Sequence, residues 1–190
     1  MKNTVGISLS NRHCHLSLAD KEALFGKGYE FKVRNELSQP GQYAYEECVN
    51  LKGPKGIIEK VRVLGPERKE TQIEVLRADC FKLGIAPVMR DSGDLKGTPG
   101  LEVIGPNGSI MLEQGVIVAL RHIHISLAQA EEYGLCDGQR VSVKVPGERE
   151  IIFGNVLVRA GGSGQIDFHV DIEEGNAAGA ANGLICEIIK

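Results

Sequence analysis

The chain places two histidines one residue apart in RHCHLSLADKEA, residues 12–23, and repeats the arrangement in RHIHISLAQAE, residues 121–131. Four of its five histidines are His13, His15, His122 and His124; the fifth, His169, lies in QIDFHVD. On an extended strand, side chains at i and i+2 share a face, so each pair projects together. The run GVIVALRHIHI is rich in β-branched residues, which favours a strand. Two imidazoles side by side on a rigid strand suit zinc or a similar divalent ion. Third ligands are sought on the two QI(E/D) segments, TQIEVLRAD (71–79) and GQIDFHVDI (164–172). Glu74 lies on the first. His169 lies on the second, two residues beyond Asp167, the position aligned with Glu74, and on the same face. The simplest grouping is His13, His15 and Glu74 for one ion and His122, His124 and His169 for another. Three protein ligands leave a fourth position open, the pattern of catalytic rather than structural zinc.

Neighbouring residues divide by strand face. Cys14 falls on the face opposite its flanking histidines and is expected to pack. Arg12 and Arg121 also point away from the histidines, where solvation, an ion pair or an anion contact all fit. Arg68, in GPERKETQIE, sits on the turn into the Glu74 strand. Its planar fork of donors fits an oxyanion. It fits equally a solvated charge among Glu67, Lys69 and Glu70.

The elements that would position these groups are short. Val- and Ile-rich runs at 56–66, 71–79, 101–112, 115–125, 140–147, 149–161 and 183–189 alternate with Gly, Pro and charged turns. That pattern predicts an all-β barrel or sandwich, with a hairpin at PNG, residues 106–108. A short helix is expected after each RHxH segment. Ser17 with Asp20 caps the first and Ser126 with Gln129 the second, the latter as a capping box. Gly134 ends the second, and a third helix is expected over residues 80–84. Both halves run in one order: RHxH strand, capped helix, strands, QI(E/D) strand. The RHxH copies lie 109 residues apart. This reads as an internal duplication giving two similar barrel modules.

Composition narrows the rest. A chain of 190 residues makes one large domain or two small ones. A net charge of −3 and a pI near 6.0 argue against nucleic acid as the main partner. Cys14, Cys48, Cys80, Cys136 and Cys186 are scattered and form no CxxC pair, as in a reducing compartment. The first residues do not form a signal peptide, and no apolar run approaches the ~18 residues of a membrane helix. A cytoplasmic protein with no membrane partner is expected.

Taken together, NRHCHLS, VRVLGPERKETQIEV, ALRHIHIS, GQIDFHVD and Asn176 in EEGNAAG resemble the phosphate propanoyltransferase (PduL-type phosphotransacylase) family. The resemblance runs in order along essentially the whole chain. It implies reversible exchange of a short acyl group, propanoyl or acetyl, between coenzyme A and phosphate. The partners would be acyl-CoA and CoA, phosphate and acyl phosphate. It implies a mainly β fold of two β-barrel domains capped by short helices, with two zinc ions per chain at their junction. Residues 12–119 would form the central barrel, and residues 1–11 with 120–190 the second, completed by the amino-terminal strand. His13, His15 and Glu74 would ligate one zinc, and His122, His124 and His169 the other. Arg68 would contact phosphate as the catalytic arginine. Ser8, Leu9, Ser10, Lys55, Arg62 and Asn176 match positions that touch CoA. Cys14 stands where the family usually has valine. Members targeted to bacterial microcompartments carry an extra amphipathic segment, whereas about a dozen residues precede His13 here, so a free cytosolic enzyme, plausibly a homodimer, is expected. Outside the family, the metal groupings also fit a zinc-dependent thioester or ester hydrolase, or a non-catalytic zinc-stabilised β-barrel binding module.

Overall fold

Period-two alternation of apolar and polar residues carries much of this chain into strands. A computed structural model describes residues 2–161 and 166–190. In chain order, β1 (Thr4–Ser10) and β2 (His13–Ser17) lead into α1 (Leu18–Phe25). β3 (Val33–Glu36), β4 (Tyr43–Lys52), β5 (Ile57–Arg68) and β6 (Gln72–Glu74) precede α2 (Arg77–Leu83). β7 (Met89–Arg90), β8 (Glu102–Ile104), β9 (Ser109–Met111) and β10 (Val116–Ala119) follow. β11 (His122–Ile125) enters α3 (Leu127–Tyr133), then come β12 (Arg140–Val145), β13 (Ile151–Ala160), β14 (Asp167–Asp171), α4 (Ile172–Ala178) and β15 (Ile185–Ile189). The chain divides into two compact units, Met1–Asn11 with Leu120–Lys190 and Arg12–Ala119. The expected mainly β architecture with short helices is what forms.

The first unit is a closed barrel in the order β1-β14-β11-β13-β12-β15. Its core is filled from alternate positions: Val5 and Ile7, Ile123 and Ile125, Phe168 and Val170. Because the period is two, His122, His124 and His169 take the other face of the same strands. α3 starts where expected. Ser126 Oγ accepts from Gln129 N in a capping box, and Gly134 closes the helix in the left-handed region. α4 was not anticipated, since Gly175 and Asn176 interrupt the short run IEEGNAA. A capping box of Asp171 and Glu174 starts it. Gly175 packs closely there: a Cβ would stand 2.5 Å from Leu9 Cδ2 on β1, so the Leu9 side chain would have to shift.

The second unit is a nine-stranded sheet in the order β7-β10-β6-β2-β5-β4-β8-β9, with β3 paired to β4. It has two ends in this order, so it is a curled half-barrel rather than a closed ring. Cys14, Leu16, Val61, Val63 and Ile73 fill its core. Cys14 is fully buried, as strand alternation predicts. The hairpin at 106–108 joins β8 to β9, and Gly105 N donates to Gly108 O at 2.8 Å. β3 and β4 precede the first of the Val- and Ile-rich runs singled out in the sequence. α2 begins at Arg77, ahead of the expected 80–84, because Asp79 caps it by accepting from Leu76 N at 3.0 Å. The run TQIEVLRAD is therefore strand only through Glu74.

The two units repeat one plan. Each HxH strand pairs parallel with a long strand, β2 with β5 and β11 with β13. Each pairs antiparallel with a QI(E/D) strand, β2 with β6 and β11 with β14. His13 stands opposite Glu74, and His122 stands opposite His169. Structural equivalence therefore sets Glu74 beside His169, and Gln72 beside Asp167. The match of QIE to QID, which aligned Glu74 with Asp167, is two residues out of register; Gly164 and Gln165 of that match lie outside the described residues. Backbone conformation supports the ladder pairing. Lys60 (φ 56) and Asn155 (φ 58), the non-glycine residues with positive φ among the described residues, occupy equivalent places in β5 and β13. No helix among the described residues is long and apolar enough to cross a membrane.

Candidate metal centres

Antiparallel pairing of short strands brings three candidate ligand side chains onto one patch in each unit. His13, His15 and Glu74 form one group, and His122, His124 and His169 the other; within each group the ligand atoms lie within 4.8 Å of one another. The first is the more enclosed: His13 and His15 are buried. His13 Nε2 stands 3.5 Å from Glu74 Oε2. Burial, then the nearby Arg68 charge, lowers His15 to about 3, so its imidazole is neutral. Burial would raise the Glu74 carboxyl, but His13 beside it and the Arg68 guanidinium outweigh it and hold Glu74 below the usual range. A neutral imidazole and an ionised carboxylate are the forms that ligate a metal.

In the barrel unit, His122 Nδ1 donates to Leu120 O at 2.7 Å. That tautomer leaves a lone pair on His122 Nε2, which faces His124 Nε2 at 2.9 Å. Burial, followed by the charges of His122, His169 and Arg159, lowers His124 to about 3. Three converging imidazoles, one with a lone pair aimed inward, fit a divalent ion. His₃ and His₂Glu are both known catalytic zinc donor sets with an open position.

Arg68 adjoins the first triad. Its Nη2 donates to His15 Nε2 at 3.0 Å and its Nη1 to Ser92 Oγ at 2.9 Å. Arg12 and Arg121 make ion pairs instead. Arg12 Nε bonds Asp79 Oδ2 at 2.7 Å, and Arg121 Nε bonds Glu174 Oε1 at 2.9 Å. Asp79 and Glu174 hold equivalent places, each bonding the backbone at its helix start.

The remaining singled-out residues spread over several elements. Ser8 stands opposite His169 in β1/β14, and its Oγ donates to Asp167 Oδ2 at 2.8 Å. Leu9 packs at Gly175, beside the exposed Asn176 of α4. Ser10 Oγ donates to Val170 O at 3.4 Å. Arg62 stands opposite His13 and commits Nη1 to the carbonyls of Tyr45 and Glu46. Lys55 lies at the far end of α2 from Glu74, with its amide donating to Leu83 O and its stem against Gly84. Sequence reasoning passed over Gln72, Ser92, Arg159 and the role of Asp167. Gln72 carried a signal, being repeated in QI(E/D). Ser92 carried none, since a loop brings it in.

Comparison with known proteins gives the family. The phosphate propanoyltransferase family model matches residues 6–181. A phosphate propanoyltransferase of Thermotoga maritima is 53% identical over 185 residues, spanning 97% of this chain and 88% of that protein. One from Rhodopseudomonas palustris is 49% identical over 98% of this chain and 82% of its own. One from Clostridioides difficile is 42% identical over 98% of this chain and 89% of its own. The protein is thus an enzyme of the acyltransferase class. It belongs to the phosphate propanoyltransferase family.

Proposed function

We propose that this protein reversibly converts a short-chain acyl-CoA and phosphate into acyl phosphate and CoA. Propanoyl and acetyl are the acyl groups in view. The observation that carries the reading is Arg68, bonded at once to a triad histidine and to Ser92. A planar guanidinium fixed beside a candidate metal site is suited to hold phosphate at the reacting centre. The proposal keeps two zinc ions per chain, one held by His13, His15 and Glu74 and the other by His122, His124 and His169. When bound, such ions would supply Lewis-acid polarisation of the thioester oxygen and a soft seat for sulfur.

Arg68 would orient phosphate so that one oxygen attacks the thioester carbonyl carbon. The new C–O bond forms, the C–S bond breaks, and sulfur leaves with the electron pair as CoA thiolate. Phosphate is itself a nucleophile at neutral pH, so no acyl-enzyme is required, and orientation supplies much of the rate. Ser8, Leu9, Ser10 and Asn176 would line the CoA path, with Lys55 and Arg62 facing its phosphates. The free thiols of all five cysteines support a reducing, cytoplasmic setting.

The test is thiol release from propanoyl-CoA and acetyl-CoA, with and without phosphate, before and after chelation and zinc return. The proposal expects release that requires phosphate, stops on chelation and resumes with zinc. Release indifferent to phosphate would make the protein a thioester hydrolase. No release from either substrate would leave a zinc-stabilised binding module.

A further inference from the structure

Each third ligand has a hydrogen-bond partner two residues before it, and the two partners are opposite in kind. In the sheet unit, Gln72 Nε2 donates to Glu74 Oε1 at 2.7 Å. In the barrel unit, Asp167 Oδ2 accepts from His169 Nε2 at 2.8 Å. The partners occupy the same rung of their ladders, Gln72 opposite His15 and Asp167 opposite His124. Duplication has kept the position and inverted the chemistry.

Both partners are themselves fixed. Gln72 is 1% exposed, and its Oε1 accepts from Gly93 N at 2.7 Å. With the oxygen so committed, the amide must turn Nε2 toward Glu74 and Ser92 Oγ, the latter at 2.8 Å. Asp167 Oδ2 also accepts from Ser8 Oγ at 2.8 Å. The consequences differ by ligand. A donor on Glu74 Oε1 leaves Oε2 facing His13 Nε2. An acceptor on His169 Nε2 fixes the ring hydrogen there and leaves a lone pair on Nδ1. Such outer partners orient metal ligands and set their basicity.

We propose that Gln72 and Asp167 are equivalent positioning residues for the two metal triads, each matched in hydrogen-bond polarity to the ligand it orients. The inference rests on reading the triads as metal sites. Zinc titrated into the metal-stripped full chain against a chromophoric chelator tests it, with cobalt absorption as a second readout. Wild type should take two ions. Gln72→Leu should weaken one ion about 10–100-fold and leave the other unchanged, and Asp167→Ala should do the same to the other. Glu74→His alone should bind poorly, because a fixed amide donor then faces an imidazole. Gln72→Asp added to it should recover roughly tenfold by recreating the acid–histidine pair. This double variant carries the test should Gln72→Leu fail to fold. Two full-strength ions in both single variants, or a double variant no tighter than Glu74→His, overturns the proposal. A wild type that binds no ion overturns the metal reading beneath it.

Discussion

Arg68 reaches His15 Nε2 with one arm and Ser92 Oγ with the other. Only a planar fork spans both, since lysine offers a single point charge on a flexible stem. Charge-assisted hydrogen bonds contribute ~1.5–3 kcal/mol each. Arg68→Ala is therefore expected to raise the phosphate KM about 10–100-fold, and Arg68→Lys to restore little of it. Initial rates at saturating acyl-CoA with phosphate varied would show this; an unchanged phosphate KM removes Arg68 from phosphate binding. At this scale the sequence grouped six ligand candidates that the fold brings into two triads. They were legible because strand periodicity is local: i and i+2 share a face whatever the tertiary structure. Arg159 and Ser92 were not. The first enters by pairing of β11 with β13, the second by a loop, and neither relation leaves a periodic trace.

Among elements, the helices that follow the third ligands are fastened back to the HxH strands. Arg12, just before His13, bonds Asp79 in α2, and Arg121, just before His122, bonds Glu174 in α4. The Asp79 side chain is only 8% exposed, and Arg12 remains 32% exposed. Removing the arginine strands a nearly buried carboxylate, which costs about 1–3 kcal/mol. Arg12→Ala is thus expected to lower the urea midpoint. Asp79→Asn in that background should return part of the loss, because asparagine keeps the oxygen that caps Leu76 N but carries no charge. A midpoint equal to wild type in Arg12→Ala would make the bridge an ordinary surface pair. The same helices mark the limit of sequence reading. α1 and α3 announce themselves by serine caps, whereas α2 opens on Leu76 and α4 carries Gly175 and Asn176. α4 is started by the local capping box of Asp171 and Glu174, whereas α2 is set by the Asp79 carboxylate, whose arginine partner stands far away in sequence. The two-residue slip between QIE and QID has a similar origin. Identity of letters favoured one alignment, and hydrogen-bonded pairing with the HxH strand enforces another.

For the whole molecule, the two units exchange their leading strands. β1 precedes β2 in sequence, yet it pairs with β14 in the barrel unit, placing Ser8 opposite His169. β10 precedes β11, yet it pairs with β6 in the sheet unit, placing Ile117 opposite Glu74. Each leading strand thus serves the third-ligand strand of the other copy, and the units change over just before each RHxH segment. The ends of the chain make this testable. β1 runs antiparallel to β15 with Thr4 opposite Glu187, and Ile188 N donates to Asn3 O. A short turn can therefore join Lys190 to the amino terminus as a hairpin. Opening the chain between Ala119 and Leu120 at the same time yields a permutant in which each unit is one continuous segment. Neighbouring termini and a cut between elements favour folding of such a chain. The permutant is expected to keep the wild-type circular dichroism spectrum and to bind zinc with wild-type stoichiometry. The segment 120–190 without β1 should instead be unstable, because removing β1 opens the barrel between β14 and β15 and leaves both as unpaired edges. An unfolded permutant beside a folded 120–190 fragment would show that β1 is not what closes the barrel.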